Sequence, residues 1–161
     1  IPEVHGAEEQ ALQAEVLAVA KAYSIPTLRL AEETELSLGE AVLTLYPPLG
    51  AGGINEEGLS LLCSCQDFDM LVTGDMDSET EALLLQTANL PDLEVLVAGH
   101  HGSKHSSSAA FLEATAPEVT VISVGDNSYG HPAPETLQRL EEAGAEVRRT
   151  DRGGTISITV Y

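Results

Sequence analysis

Leu93-Glu94-Val95-Leu96-Val97-Ala98-Gly99-His100-His101-Gly102-Ser103 is the stretch that decides the fold class. Residues 93–97 form a short apolar run of the kind found in strands buried on both faces. Such strands belong to sheets with crossover helices, where ligands gather beyond the carboxyl ends of the strands. His100 and His101 stand at that place.

Working outward, elements alternate. Residues 107–116 predict a short helix, 119–124 a strand, and 134–143 a helix ended by Gly144. Residues 146–149 and 155–160 flank Asp151-Arg152-Gly153-Gly154 and predict a closing hairpin. Upstream, Ser78 with Glu81 is a capping-box signature for a helix over 78–88. Strands at 59–65 and 70–73 read as a hairpin, and 41–46 as a further strand ending at Pro47-Pro48. The loop 49–55 carries Gly50, Gly52 and Gly53. Residues 31–40 look turn-like, 26–30 a short strand, and 7–22 a helix with Leu12, Val16, Val19 and Tyr23 at spacings of three and four. Hairpins first and helix-linked strands next imply an α/β domain, a mixed sheet covered by helices. One domain over 1–161 is expected.

Three strand ends deliver metal-ligating side chains. Asp75 follows Thr73-Gly74, the His100-His101 pair follows Ala98-Gly99, and His131 lies past Val124-Gly125. Imidazole and carboxylate together suit zinc, manganese or iron, and a carboxylate so placed can bridge two metals. Each group alone also reads as turn chemistry: Asp75 as a turn or cap residue, His131 and His105 as loop residues. The coincidence of three strand ends is what turn chemistry leaves unexplained. Around them lie Ser103, Lys104, Ser106, Ser107, Ser108 and Asn127. Hydroxyls, an amide and one ammonium suit phosphate oxygens, and a helix starting near Ser107 would add amide donors. As N-cap and loop residues the serines have an equally simple account.

Composition narrows the options. The 161 residues hold 26 Asp and Glu against 7 Lys and Arg, a formal charge of −19. That excludes nucleic-acid binding by a spread of basic residues and docking on an anionic membrane. The acidity avoids the proposed site, since residues 97–131 contain only Glu113, Glu118 and Asp126 as acids. A hydrophobic fraction of 43% excludes an acidic disordered tail. No apolar run is long enough for a membrane span, so a soluble chain is expected. Cys63 and Cys65, two apart on a strand, share a face in a geometry poor for bridging each other and read as small apolar residues. Ile1 in place of Met points to a segment of a longer chain.

Four motifs occur in order: Leu71-Val72-Thr73-Gly74-Asp75; Val97-Ala98-Gly99-His100-His101-Gly102-Ser103; Ser123-Val124-Gly125 through Tyr129-Gly130-His131-Pro132; and Arg149-Thr150-Asp151 with Gly153. Together they resemble the carboxyl-terminal half of the metallo-β-lactamase-fold domain of ComEC-type competence proteins. The resemblance covers residues 41–160 well and 1–40 loosely. It implies an αββα sandwich, of which this chain supplies mainly the second half. It also implies phosphodiester hydrolysis by metal-bound hydroxide, with two zinc or manganese ions in the complete domain. Asp75 and His101 would hold metal, with His100, His131 and Lys104 catalytic and Ser103 and Asn127 binding substrate. The implied partner is single- or double-stranded DNA, in a parent with an upstream membrane channel and this domain on the outer face of the bacterial membrane. Two departures stand out. The family's HxHxDH motif is absent, Val4-His5-Gly6 being no replacement, and Tyr46 stands where many relatives carry His. This chain alone is therefore expected to be inactive. Another hydrolase of the superfamily, or a degenerate non-catalytic domain, is the alternative.

Overall fold

A computed structural model of the chain describes residues 7–28, 30–49 and 58–160. The expected glycine loop at 50–55 and the His5 motif lie outside these residues. Helix α1 (Ala7–Ala22) comes first, followed by strands β1 (Thr34–Leu38), β2 (Ala41–Tyr46), β3 (Ser60–Cys65) and β4 (Phe68–Val72). Helix α2 (Ser78–Thr87), β5 (Val95–Val97), α3 (Ala109–Thr115), β6 (Val119–Ile122), α4 (Pro134–Glu142), β7 (Glu146–Arg149) and one helical turn, α5 (Thr150–Gly153), complete the order.

All seven strands join one sheet in sequence order. β1 to β4 pair antiparallel, and β4 to β7 pair parallel, with Val72 opposite Val97 and Val97 opposite Val121. Strands that advance in one direction through crossovers of one hand place α2, α3 and α4 on the same face. On that face Leu62, Leu71, Leu96 and Thr120 hold consecutive register positions and are almost wholly buried. Leu84, Phe111, Leu112 and Leu140 from the helices close over this row. Each buried side chain of this size contributes roughly 1.5–3 kcal/mol. The opposite face carries a second apolar row of Leu45, Leu61, Val72, Val97 and Val121, each half-buried. A sheet apolar on both faces with helices on one is the expected α/β architecture with mixed pairing.

Several local expectations are corrected. Residues 34–38 are an edge strand rather than a turn, because Gly39 and Glu40 reverse the chain so that Leu38 pairs Ala41. No strand forms at residues 26–28 or 30. The stripe on α1 does not face the core: Leu12, Val16, Val19 and Tyr23 are all more than half exposed. The closing hairpin is absent. The Thr150 hydroxyl donates to Val124 O (2.7 Å) and accepts from Val124 N (2.7 Å), so the chain starts a helical turn there, and residues 155–160 form no strand.

The helix at 78 starts one residue earlier than its signature suggests. Asp77 is the N-cap, its Oδ1 accepting from the Thr80 amide (2.9 Å) and hydroxyl (2.8 Å), and the amide holds the carboxyl below its ordinary range. Glu81 is thereby released from capping α2. It is 1% exposed, and its carboxylate accepts from the amides of Ser107 (2.5 Å) and Ser108 (2.9 Å). Burial pushes its pKa up, while those amides and Arg139 pull it back. From the other side Arg139 donates to the carbonyls of Lys104, Ser106 and Ser107. Together Glu81 and Arg139 clamp the loop between the histidine pair and α3. Glu81→Ala leaves two amides without their acceptor and lowers stability by about 2–4 kcal/mol, measured by urea unfolding.

Candidate functional site

Because β4 to β7 are parallel, their carboxyl ends lie along one edge of the sheet. Asp75 follows β4, His100 and His101 follow β5, the loop 123–133 follows β6, and Thr150 follows β7. Main-chain bonds stitch these loops to one another: His100 N donates to Gly74 O (2.9 Å) and Ala133 N to Gly102 O (2.8 Å). The stitching needs Gly102. Its φ is +80°, and an added Cβ would lie 2.6 Å from the Pro132 Cβ. His100 and His101 themselves sit in left-handed backbone, at φ 49° and 55°. Two adjacent non-glycine residues in that region are uncommon and are found where surrounding contacts enforce them.

The histidines meet. The His100 and His131 rings lie 5.6 Å apart, edge to face, and the Tyr129 ring stacks on His131 at 6.1 Å. His131 is pushed below its ordinary pKa of 6.5, first by desolvation and then by His100 and His101, while the charge of half-buried Asp75 pulls it upward. Asp75, His100 and His101, which follow neighbouring strand ends, are therefore each within electrostatic reach of His131. The His131 Nδ1 is buried without a hydrogen-bond partner among the described residues. His101 Nδ1 lies 2.7 Å from Ser123 O. A carbonyl only accepts, so Nδ1 carries a proton, and in the neutral ring the lone pair is then on Nε2.

The surrounding polar residues divide. Lys104 is exposed, and its ammonium has no partner among the described residues. Ser103 is 4% exposed; its hydroxyl accepts from His105 N (3.3 Å) and its carbonyl from the Thr136 hydroxyl (2.7 Å). Asn127 spends its amide within its own loop. Its Oδ1 accepts from the amides of Tyr129 and His131 (both 3.1 Å), and its Nδ2 donates to the carbonyls of Gly125 (2.9 Å) and His131 (2.8 Å). It sets the path of the chain into His131. The amides of Ser107 and Ser108, expected as phosphate donors at a helix start, are capped by Glu81 instead. Tyr46 lies at the same edge of the sheet, since β2 runs parallel to β4, but it is 5% exposed and packs in the core. Burial, with Glu33, Glu35 and Asp69 nearby, pushes its phenol up to about 12.

Glu81, Arg139 and Thr150 are the supporting residues that sequence reasoning missed. Only the Ser78/Glu81 spacing hinted at the first, and it pointed to the wrong partner. The cluster opens on a cavity of about 330 Å³ lined by His101, Ser123, Val124, Asn127, Tyr129 and Thr150, among others. A larger cleft of about 980 Å³ lies away from the histidines, between α4, β7 and residues 152–158. Two of its arginines are already engaged, Arg148 with Glu146 and Arg149 with Asp151 (2.6 Å).

Two outcomes test this geometry. Between the lowered folded pKa of His131 and 6.5, the unfolded chain binds more protons, so stability rises with pH. The contribution is complete above 6.5 and is lost as pH falls through the lowered value. In metal-free protein, NMR titration of the His131 ring gives a midpoint below 6.5 that Asp75→Asn lowers further and His100→Gln raises. Gly102→Ala, strained in φ and blocked by Pro132, costs about 1–3 kcal/mol of stability by the same urea measurement.

No family model matches the chain. It is 35% identical over 103 residues to ComE operon protein 3 of Bacillus subtilis, covering 63% of this chain and 13% of that protein. It is 43% identical over 92 residues to Competence protein ComA of Neisseria gonorrhoeae, covering 55% and 13%. With Recombination protein 2 of Haemophilus influenzae it shares 32% identity over 93 residues, covering 57% and 12%. The matched segment thus spans 12–13% of the length of these curated relatives. Among solved structures, a mutant of the CmlA β-hydroxylase, a metallo-β-lactamase-fold enzyme, superposes with a TM-score of 0.51 at 11% identity. That match covers 83% of this chain and 34% of that one, and it bears on the fold alone. Among the described residues, no helix is long and apolar enough to cross a membrane.

Proposed function

Taking the chain as a homologue of one segment of the ComEC-type competence proteins, with a metallo-β-lactamase-like fold, we propose that it belongs to a metal-dependent phosphodiesterase acting on DNA during uptake. The observation that supports this reading is the convergence of Asp75, His100, His101 and His131 from the ends of three adjacent parallel strands. The relatives are named as competence proteins, which fits a membrane-associated parent with this domain on the outer face and single- or double-stranded DNA as partner.

The residues fit part of a metal centre. His101 offers Nε2 while its Nδ1–H is fixed by Ser123 O, the way a ligating imidazole is commonly oriented. Asp75 supplies a carboxylate, and the pair suits zinc or manganese. The number falls short, for no group of three or more His, Cys, Asp or Glu able to hold a metal is found among the described residues. Further ligands would come from elsewhere in the protein. A bound divalent ion supplies Lewis acidity and a nucleophilic water at neutral pH.

This chain's own residues do the rest. His131, with its pKa depressed, is neutral at pH 7 and takes up a proton rather than giving one from an imidazolium. Asn127 fixes the loop that presents it. The unpaired Lys104 ammonium, on the loop that follows the histidine pair in a strongly acidic chain, pairs with a phosphate oxygen. Ser103 acts through the loop rather than by touching substrate.

In a protein that carries this segment together with its flanking domains, Asp75→Ala and His101→Ala each lower metal-dependent DNA cleavage by about a hundredfold or more, and a chelator abolishes it. Undiminished cleavage in both variants would falsify the reading. The shortfall of ligands favours a second reading, a domain that keeps the shape without catalysis. Stoichiometric metal analysis separates the two, since tight binding of two equivalents at this domain sinks the second.

A further inference from the structure

We propose that Tyr129 and the cavity beside it form a base-stacking subsite, which holds one nucleobase of a single strand and so sets that strand against the histidine cluster. This rests on the phosphodiesterase reading and names how that site holds its substrate.

The argument begins from charge. At −19 the chain has no spread of basic side chains with which to track a phosphate backbone. Of the two cations at the loop after the histidine pair, Arg139 is engaged with the carbonyls of Lys104, Ser106 and Ser107, and Lys104 alone is unpaired among the described residues. The bases remain as the part of a strand that it can grip. Tyr129 is 83% exposed, the most exposed of the large apolar side chains described, and is held where a solvent-facing ring needs a reason. Asn127 anchors its amide, and its ring stacks on His131 at an interplanar angle of 21°. It lines the 330 Å³ cavity with Val124, Gly125 and Thr150, and nothing lies within 4 Å of where a Gly125 Cβ would be.

The polar groups of the cavity say what kind of recognition this is. Ser123 O is taken by His101, Gly125 O by Asn127, the Asn127 amide by its own loop, and the Thr150 hydroxyl by Val124. Two ring nitrogens of the lining stay open, His131 Nδ1 and His101 Nε2, so the cavity has few groups with which to read the edges of a base. An aromatic face with most of its polar neighbours engaged binds mainly through stacking, which every base supports. The subsite therefore accepts bases of any identity and requires that there be a base.

The test uses the metal-free chain and two probes, a labelled short oligothymidylate and an abasic sugar-phosphate oligomer of equal length, with affinity read by fluorescence anisotropy. The oligothymidylate binds about tenfold more tightly than the abasic oligomer. Oligomers of adenine or cytosine bind within a few-fold of thymine. Tyr129→Ala removes the advantage, and Tyr129→Phe keeps it. With four tyrosines and no tryptophan, intrinsic emission comes from tyrosine. Binding quenches it in the wild type, and the quench disappears in Tyr129→Phe although affinity is retained, which a merely structural role would not produce. Equal affinity for the two probes, no binding of either, or an unchanged Tyr129→Ala overturns the proposal. Because no metal is present, these results are independent of whether the parent protein cleaves DNA.

Discussion

The hydrogen bond from the His100 amide to the Gly74 carbonyl is the constraint on which the site depends. It joins the loop after β5 to the loop after β4, and so brings Asp75 and the histidine pair to one place. A second stitch, from Ala133 N to Gly102 O, draws in the loop that bears His131. Parallel strands alone put their carboxyl ends along one edge; these cross-loop bonds turn an edge into a cluster. The left-handed backbone at His100 and His101 and the contact of Gly102 with Pro132 follow from the same close approach.

Support for the cluster comes from beneath. Glu81 reaches from α2 to the amides at the start of α3, and Arg139 reaches from α4 to the carbonyls just before them. A buried carboxylate and a guanidinium therefore hold the two sides of the loop that follows the histidines. Such paired anchors cost desolvation and repay it by fixing one conformation. The helices that cover the sheet thus also determine where the loop runs.

Much of this was legible in the sequence. The valine and leucine run before His100, the glycines at strand ends and the order of the motifs gave the parallel part of the sheet and the members of the cluster. What escaped was long-range or depended on a partner. The Ser78/Glu81 spacing is consistent with a capping box, yet Asp77 caps the helix and Glu81 bonds residues 26 and 27 positions away. The alternation in residues 155–160 suits a strand, but Thr150 binds back to Val124 and turns the chain before any hairpin forms. The apolar stripe on α1 has helical spacing and still faces away from the core. Local pattern reports what an element prefers and leaves open what it meets.

The acidic balance acquires a position in this arrangement. It belongs to helix faces and turns, and the cluster is left with an unpaired lysine on the adjoining loop, an exposed tyrosine and a His131 whose pKa Asp75 pulls upward. We propose that Asp75 and His101 Nε2 share a metal. Anomalous diffraction at the zinc or manganese edge, from metal-loaded crystals of a protein bearing this segment, tests it most directly. The account predicts a peak within bonding distance of an Asp75 carboxylate oxygen and His101 Nε2, with His101 Nδ1 still donating to Ser123 O. A peak bonded to neither residue, or His101 rotated to ligate through Nδ1, would contradict it.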